Sequence, residues 1–291
     1  MNATKSKEFA KKVFYISLLI LVGGNVFVWY SVIFAGESKN LELGFLDVGQ
    51  GDSQLINFDG VQILIDGGKG PKVLSELPKL MALGDRYIDL VIATHPDLDH
   101  FGGLIDVIKT YEVGAVITNG RKGTASAYAD FEKVIKDRHV SEVVLREGDR
   151  VLYEDLLLSV LSPDIQQAAH KKVNESGLVF LLEKDGLRAL YTADIGFETE
   201  QKLIKEYDLA AHILKVPHHG SKFSSGSLFL KEVNPSIAVV EVGKNTYGHP
   251  TGAVLGRLAD NGSRIFRTDR DSAVKIIFDG ERMKIYTESG S

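Results

Sequence analysis

Two imidazoles and two carboxylates fall within the six positions His95-Pro96-Asp97-Leu98-Asp99-His100. An apolar segment, Ile88-Asp89-Leu90-Val91-Ile92-Ala93, leads into this run, and Phe101-Gly102-Gly103 follows it. Such a cluster at the end of a strand is costly to fold around. Its carboxylates repel unless protonated, hydrogen-bonded or bridged by a cation. A divalent metal is the simplest remedy. One ion would use about three of the four side chains, and two ions would use all four. A solvated polar loop is the bland alternative, and four possible ligands in so short a stretch disfavour it.

The chain has no cysteine, so any metal is held by His and carboxylates. That donor set suits Zn²⁺, Mn²⁺, Fe or Mg²⁺ rather than soft copper or iron–sulfur chemistry. Three further runs end in candidate ligands. Leu190-Tyr191-Thr192-Ala193 leads to Asp194, which alone could equally be a turn former or helix cap. His212-Ile213-Leu214-Lys215-Val216-Pro217 leads to His218-His219. Neighbouring histidines on a strand point to opposite faces, but a turn beyond the strand can bring both to one cavity. Val239-Val240-Glu241-Val242 leads through a polar loop to His249, just before a helix pattern. The positive end of that helix disfavours an imidazolium there. Five of the eight histidines thus lie at the ends of apolar runs, and His139, His170 and His212 read as structural or surface.

The N-terminus has a separate role. Residues 13–35 carry no charge, and as a helix would span roughly 35 Å, enough for a bilayer core. Lys5, Lys7, Lys11 and Lys12 precede this stretch against a single acid, Glu8. Basic flanks stay cytoplasmic. The expected layout is a cytoplasmic segment 1–12, a single-pass anchor 13–35, a linker 36–40 and an extracytoplasmic domain 41–291. A cleaved signal peptide or a buried core helix are the alternatives; the stretch is long for a signal peptide and lacks a small-residue cleavage site. Removing the basic segment leaves residues 37–291 with a net charge of −8. Such a domain is not steered as a whole to nucleic acid, so basic groups would have to act locally.

Within 41–291 strand and helix patterns alternate without a linker. Asp59-Gly60, Asp185-Gly186 and Asp279-Gly280 each predict a two-residue hairpin turn. Helices are expected near 71–83, 103–110, 124–138, 198–207, 227–233 and 250–260, the third capped by Thr124 or Ser126 and the first kinked or shortened by Pro78. The pattern is that of an α/β protein with mixed sheets.

Together these motifs resemble the metallo-β-lactamase superfamily, and in particular the hydrolase domain of ComEC-type DNA-uptake (competence) proteins. The matching segments are 46–52, 64–68, 95–100, 191–195, 215–221, 242–250 and 268–271. The resemblance implies a four-layer αββα sandwich with the metal site at one edge. It implies two divalent ions, Zn or Mn, one held by His95, Asp97 and Asp194, the other by Asp99, His100, Asp194 and His218. Asp66, Asn174 and Ser176 would support the ligands; His219 and His249, with Asp99, would serve catalysis; Ser221 and Lys244 would contact substrate. Asp97 replaces a histidine of the usual superfamily run, and Asn174-Glu175-Ser176-Gly177 stands where a further histidine is usual. An oxygen-rich site leans toward Mn²⁺. The implied activity is that of a membrane-anchored phosphodiesterase or nuclease, its substrate a phosphodiester such as DNA. The alternatives are a lactone, thioester or β-lactam hydrolase, or a non-catalytic anchored binding protein on the same fold. With one span in these 291 residues, the expectation is that this chain is not itself the DNA pore.

Overall fold

The computed structural model describes residues 3–34 and 40–288. Backbone contacts divide the chain into two units, 1–39 and 40–291. The first is one helix, Ala3–Phe34. Its Lys11–Trp29 stretch has a mean hydropathy of 1.8 and is exposed throughout, so by length and composition it suits a bilayer span. The expected linker 36–40 lies, apart from Asn40, outside the described residues, as does Ala35.

The second unit contains two sheets. One has eight strands in the spatial order Met283–Thr287, Val274–Phe278, Leu41–Phe45, Gln54–Phe58, Val61–Ile65, Tyr87–Ala93, Glu112–Thr118 and Ser141–Val144. The other has seven, in the order Arg264–Arg267, Ile237–Val240, Ile213–Lys215, Leu187–Tyr191, Val179–Lys184, Leu156–Ser162 and Arg150–Tyr153. Their facing surfaces form one core, with Phe45, Ile63, Ile65, Phe180, Ala189 and Val239. Alternate residues face outward. Leu64 and Val91 pack against Phe101, Leu104 and Phe131 of helices on one side. Leu190, Leu214 and Val240 pack against Leu203, Phe229 and Leu258 on the other. Strands covered on both faces need apolar side chains at odd and even positions, which is why they read as continuous apolar runs. The result is the αββα sandwich of the metallo-β-lactamase fold.

Two of the Asp-Gly turns are two-residue hairpins. Phe58 pairs with Val61 and Lys184 with Leu187, and Asp59, Gly60, Asp185 and Gly186 all have positive φ. At the third, Phe278 pairs with Met283, so the loop is longer. There Asp279 accepts the backbone N–H groups of Glu281 and Arg282 instead of taking a left-handed conformation. The helix expected at 103–110 begins earlier, at Leu98, inside the ligand run. The helix expected at 124–138 is Ser126–Asp137, with Ala125 at its cap position and no side-chain cap.

Candidate metal centre

Both sheets contain neighbouring parallel strands, and the chemical residues follow their carboxyl ends. In the first sheet Asp66 follows Ile65, His95 follows Ala93 and Asn119 follows Thr118. In the second Asp194 follows Tyr191, His218 and His219 follow Lys215, and Glu241 follows Val240. Parallel register brings all these strand ends to one edge, where α/β folds assemble sites.

His100 is the best anchored of the imidazoles. Its Nδ1 lies 2.8 Å from Asp66 Oδ2. Asp66 also accepts the Thr94 amide at 2.9 Å and the Thr94 hydroxyl at 2.7 Å. A carboxylate cannot donate, so Nδ1 carries a proton, and in the neutral imidazole Nε2 is then a free lone pair. The backbone holds the two together. Gly67 N–H donates to His100 O at 2.7 Å, and Gly103 N–H to Gly68 O at 2.9 Å. This contact needs glycine in the helix: a Cβ at position 103 would lie 1.9 Å from Gly67 O.

His219 is fixed in the same way. Its Nδ1 lies 2.8 Å from the Glu241 carbonyl oxygen and 3.2 Å from Asp52 Oδ1. His218 and His219 have φ of 52° and 53°, a left-handed pair of non-glycine residues. Backbone strain of this kind persists only where the surroundings over-determine it. The turn sends the two rings to the same region, with centroids 6.3 Å apart and planes at 73°. His95 Nδ1 lies 3.0 Å from the Thr94 hydroxyl.

The Nε2 atoms of His95, His100 and His219 and Oδ1 of Asp194 are all buried and lack a hydrogen-bond partner among the described residues. They converge. His100 Nε2 and His219 Nε2 each lie 3.5 Å from Asp194 Oδ2, and His219 Nε2 lies 3.5 Å from Asp99 Oδ2. His95 Nε2 lies 3.6 Å from Asp97 Oδ2. Tetrahedral ligands at zinc-type bond lengths stand about 3.4 Å apart. The donors are thus too far apart for good hydrogen bonds and spaced as atoms that share an ion. The His95, His100 and Asp194 group and the Asp99, His100 and His219 group each offer three such atoms. These residues fit divalent metal.

In the metal-free protein the surrounding carboxylates favour protonated imidazoles, and metal binding would displace those protons. Burial opposes ionisation of Asp194, but His219, His100 and Lys215 hold its carboxyl well below the usual range. Burial likewise opposes charge on His219, yet Asp194 and Asp52 push it up to about 10. His218 and His249 are the opposite case: burial lowers both below the ordinary imidazole value.

Three residues absent from the expected site complete it. Lys215 is fully buried, ion-pairs with Asp52, donates to Ala193 O at 2.8 Å and lies 3.7 Å from Asp194 Oδ1. It anchors the turn that aims Asp194, in which Ala193 itself has φ of 44°. Glu241 accepts Ser53 N–H at 2.9 Å and a bond from Gln54. The available signal was a lone charge within an apolar run, at Lys215 and Glu241, since a buried charge demands a partner.

The other expected residues divide. Asp97 and Asp99 flank the start of helix Leu98–Thr110 and face the cluster. His218 is less engaged than His219: its Nε2 lies 3.9 Å from Asp194 and 3.3 Å from Asn174 Nδ2. Its ring is 5.5 Å from that of His249. Lys244 lines a cavity beside Asp99. The hydroxyls of Ser221 and Ser176 are engaged by nearby backbone. The left-handed turn folds Ser221 N–H back onto His218 O, and its buried hydroxyl accepts the Phe223 amide. The Ser176 hydroxyl donates to Val173 O.

Residues 46–243 match the family model of the metallo-beta-lactamase superfamily. Among characterised sequences, the chain is 32% identical to ComE operon protein 3 of Bacillus subtilis over 89% of its length, and 31% identical to competence protein ComA of Neisseria gonorrhoeae over 79%. It spans 36% and 31% of those longer proteins. Its fold is similar to that of the metallo-beta-lactamase fold protein YhfI of Bacillus subtilis, at a TM-score of 0.58 and 13% identity, covering 81% of this chain and 99% of that one. A novel metallo hydrolase of Ignicoccus hospitalis, Igni18, aligns with a TM-score of 0.53 and 17% identity, covering 80% and 98%.

Proposed function

The chain belongs to the metallo-β-lactamase superfamily, and from that premise we propose that it is a membrane-anchored, metal-dependent phosphodiesterase. The observation that carries this reading is the convergence of three unpartnered imidazole Nε2 atoms on Asp194. The anchor is helix Ala3–Phe34, with its lysine-rich start in the cytoplasm and the domain outside.

Asp99, His100, Asp194 and His219 would hold one ion, and His95, Asp97 and Asp194 a second. His219 takes the ligand role that the resemblance gives His218, because its Nε2 is the closer to both Asp99 and Asp194. Bound divalent metal supplies Lewis acidity toward a water and a phosphoryl oxygen. The protein supplies the rest. Asp66 and the Glu241 carbonyl lock the tautomers of His100 and His219. The Lys215 ammonium offsets part of the carboxylate charge. His218 and His249 lie at the rim, where burial lowers their proton affinity; a neutral ring there is suited to accepting a proton or a hydrogen bond near neutrality. The donor set, with Asp97 in place of an imidazole, favours Mn²⁺.

The test uses the whole chain in lipid nanodiscs with Mn²⁺ or Zn²⁺ and bis(p-nitrophenyl) phosphate. Hydrolysis lost in His100→Ala is expected. No hydrolysis with either ion, together with no metal uptake, refutes the proposal.

A further inference from the structure

The anchor helix, Ala3–Phe34, carries a polar group where a bilayer is driest. Residues 13–35 are uncharged, and Asn25 is the only carboxamide among them, next to their midpoint. In a hydrocarbon core about 30 Å thick it lies near the centre, where neither water nor lipid offers a hydrogen bond. One N–H of its amide donates to Leu21 O at 3.0 Å. The second N–H and Oδ1 have no partner among the described residues. Both are full hydrogen-bonding groups, one donor and one acceptor.

What surrounds Asn25 on the helix surface decides what can satisfy it. At about 100° per residue, Ser17, Leu21, Gly24, Asn25 and Val28 fall within an arc of about 100°. All five are exposed. Ser17 and Gly24 are seven residues apart, as are Leu21 and Val28. A seven-residue repeat keeps one seam turned toward a partner helix in a left-handed crossing. In that seam Ser17 and Gly24 let two backbones approach, while Leu21 and Val28 fill the space beside them. Gly23 lies on the far side of the helix. A Cβ at either glycine would meet nothing within 4 Å, so the isolated helix tolerates a side chain at both. The amide also selects the partner, because a carboxamide is its own complement: the N–H of one fits the oxygen of another. Two copies of one chain enter the membrane in the same orientation, so their Asn25 residues lie at the same depth. A two-fold axis along the membrane normal then satisfies both amides by the same contact made twice.

We propose that this face of the anchor helix is a dimer interface for a second copy of the chain, each Asn25 donating its free N–H to Oδ1 of the other. The inference goes beyond the phosphodiesterase reading and rests only on the part of it that sets the helix in a bilayer. Ser17 and Gly24 bring the backbones close enough for the two amides to meet.

Association in lipid provides the test. The whole chain, labelled at its N-terminus with a donor or an acceptor dye, is reconstituted in phosphatidylcholine liposomes. Energy transfer is followed as added lipid dilutes the protein. Wild type is expected to show transfer that fits a dimer and fades on dilution. Asn25→Leu keeps the side-chain size, makes the span more apolar and removes the amide. It should raise the dissociation constant by roughly 3- to 30-fold, the value of a hydrogen bond between membrane helices. Asn25→Gln keeps the amide and should keep the association. Gly24→Leu should weaken pairing by blocking close approach, and Gly23→Leu, on the far side, should leave it unchanged. Transfer no greater than that of randomly mixed labels, an Asn25→Leu variant that associates like wild type, or equal effects of the two glycine substitutions overturns the inference. Alkaline carbonate extraction reports on the anchor separately. Release of the wild-type chain refutes the anchor and the pairing with it, whereas a retained but monomeric chain refutes the pairing alone.

Discussion

Replacing Asp66 by Asn tests the logic of the site without touching a ligand. Asp66 is fully buried and accepts three hydrogen bonds, from Thr94 N–H, the Thr94 hydroxyl and His100 Nδ1–H. Asparagine has the same shape but only one acceptor oxygen. If that oxygen keeps Thr94 N–H, the amide NH₂ meets the Thr94 hydroxyl and His100 Nδ1. The imidazole then accepts at Nδ1 and carries its proton on Nε2, the atom that points at Asp194. A protonated Nε2 cannot bind metal. Loss of such an outer carboxylate typically lowers affinity by about 10- to 100-fold, or about 1.4–2.7 kcal/mol. Losing the charge-assisted bond would also destabilise the fold by about 1.5–3 kcal/mol. Competition against a fluorescent chelator measures the first effect, and urea unfolding of the metal-free protein measures the second. The ¹⁵N shifts of His100 report the tautomer directly. Affinity within twofold of wild type, with Nε2 still unprotonated, would show that Asp66 does not set the ligand.

The remaining predictions concern packing and protons. Gly103→Ala forces a Cβ to 1.9 Å from Gly67 O, so it should cost roughly 1–3 kcal/mol in urea unfolding and reduce bound metal; a variant as stable and as metal-loaded as wild type contradicts the helix–loop contact described. The pH behaviour of the metal-free protein follows from His219. Burial opposes its charge, but Asp194 and Asp52 raise its value to about 10, whereas an unfolded histidine loses its proton near about 6.5. The stabilisation is therefore complete below about pH 6.5 and is lost as pH rises through about 10. Denaturation midpoints between these limits should fall with pH, and Asp52→Asn should flatten the trend; a midpoint that rises with pH would be incompatible with an imidazolium at His219.

Much of the architecture was readable from local chemistry. Apolar runs ending in Asp or His marked strands whose carboxyl ends meet, because residues at such ends cannot be apolar if they form a site. Asp59-Gly60 and Asp185-Gly186 specified their hairpins because both turn positions need positive φ. Asp279-Gly280 did not, since Asp279 caps its own loop by accepting two backbone amides. The start of helix Leu98–Thr110 was hidden because the ligand run interrupts the apolar periodicity with polar residues that face the cluster.

Sequence by itself determined the donor types, no thiolate and carboxylates in equal number with imidazoles, and an uncharged N-terminal stretch long enough for a membrane. Each follows from residue identity alone. Only the tertiary structure decided which histidine of the adjacent pair approaches Asp99 and Asp194. That choice depends on two consecutive left-handed residues, a backbone state that no spacing encodes. Tertiary structure likewise decided that Lys215, Asp52 and Glu241 belong to the centre. Their contacts join strands far apart in the chain, and a buried charge is defined only by what the fold sets around it.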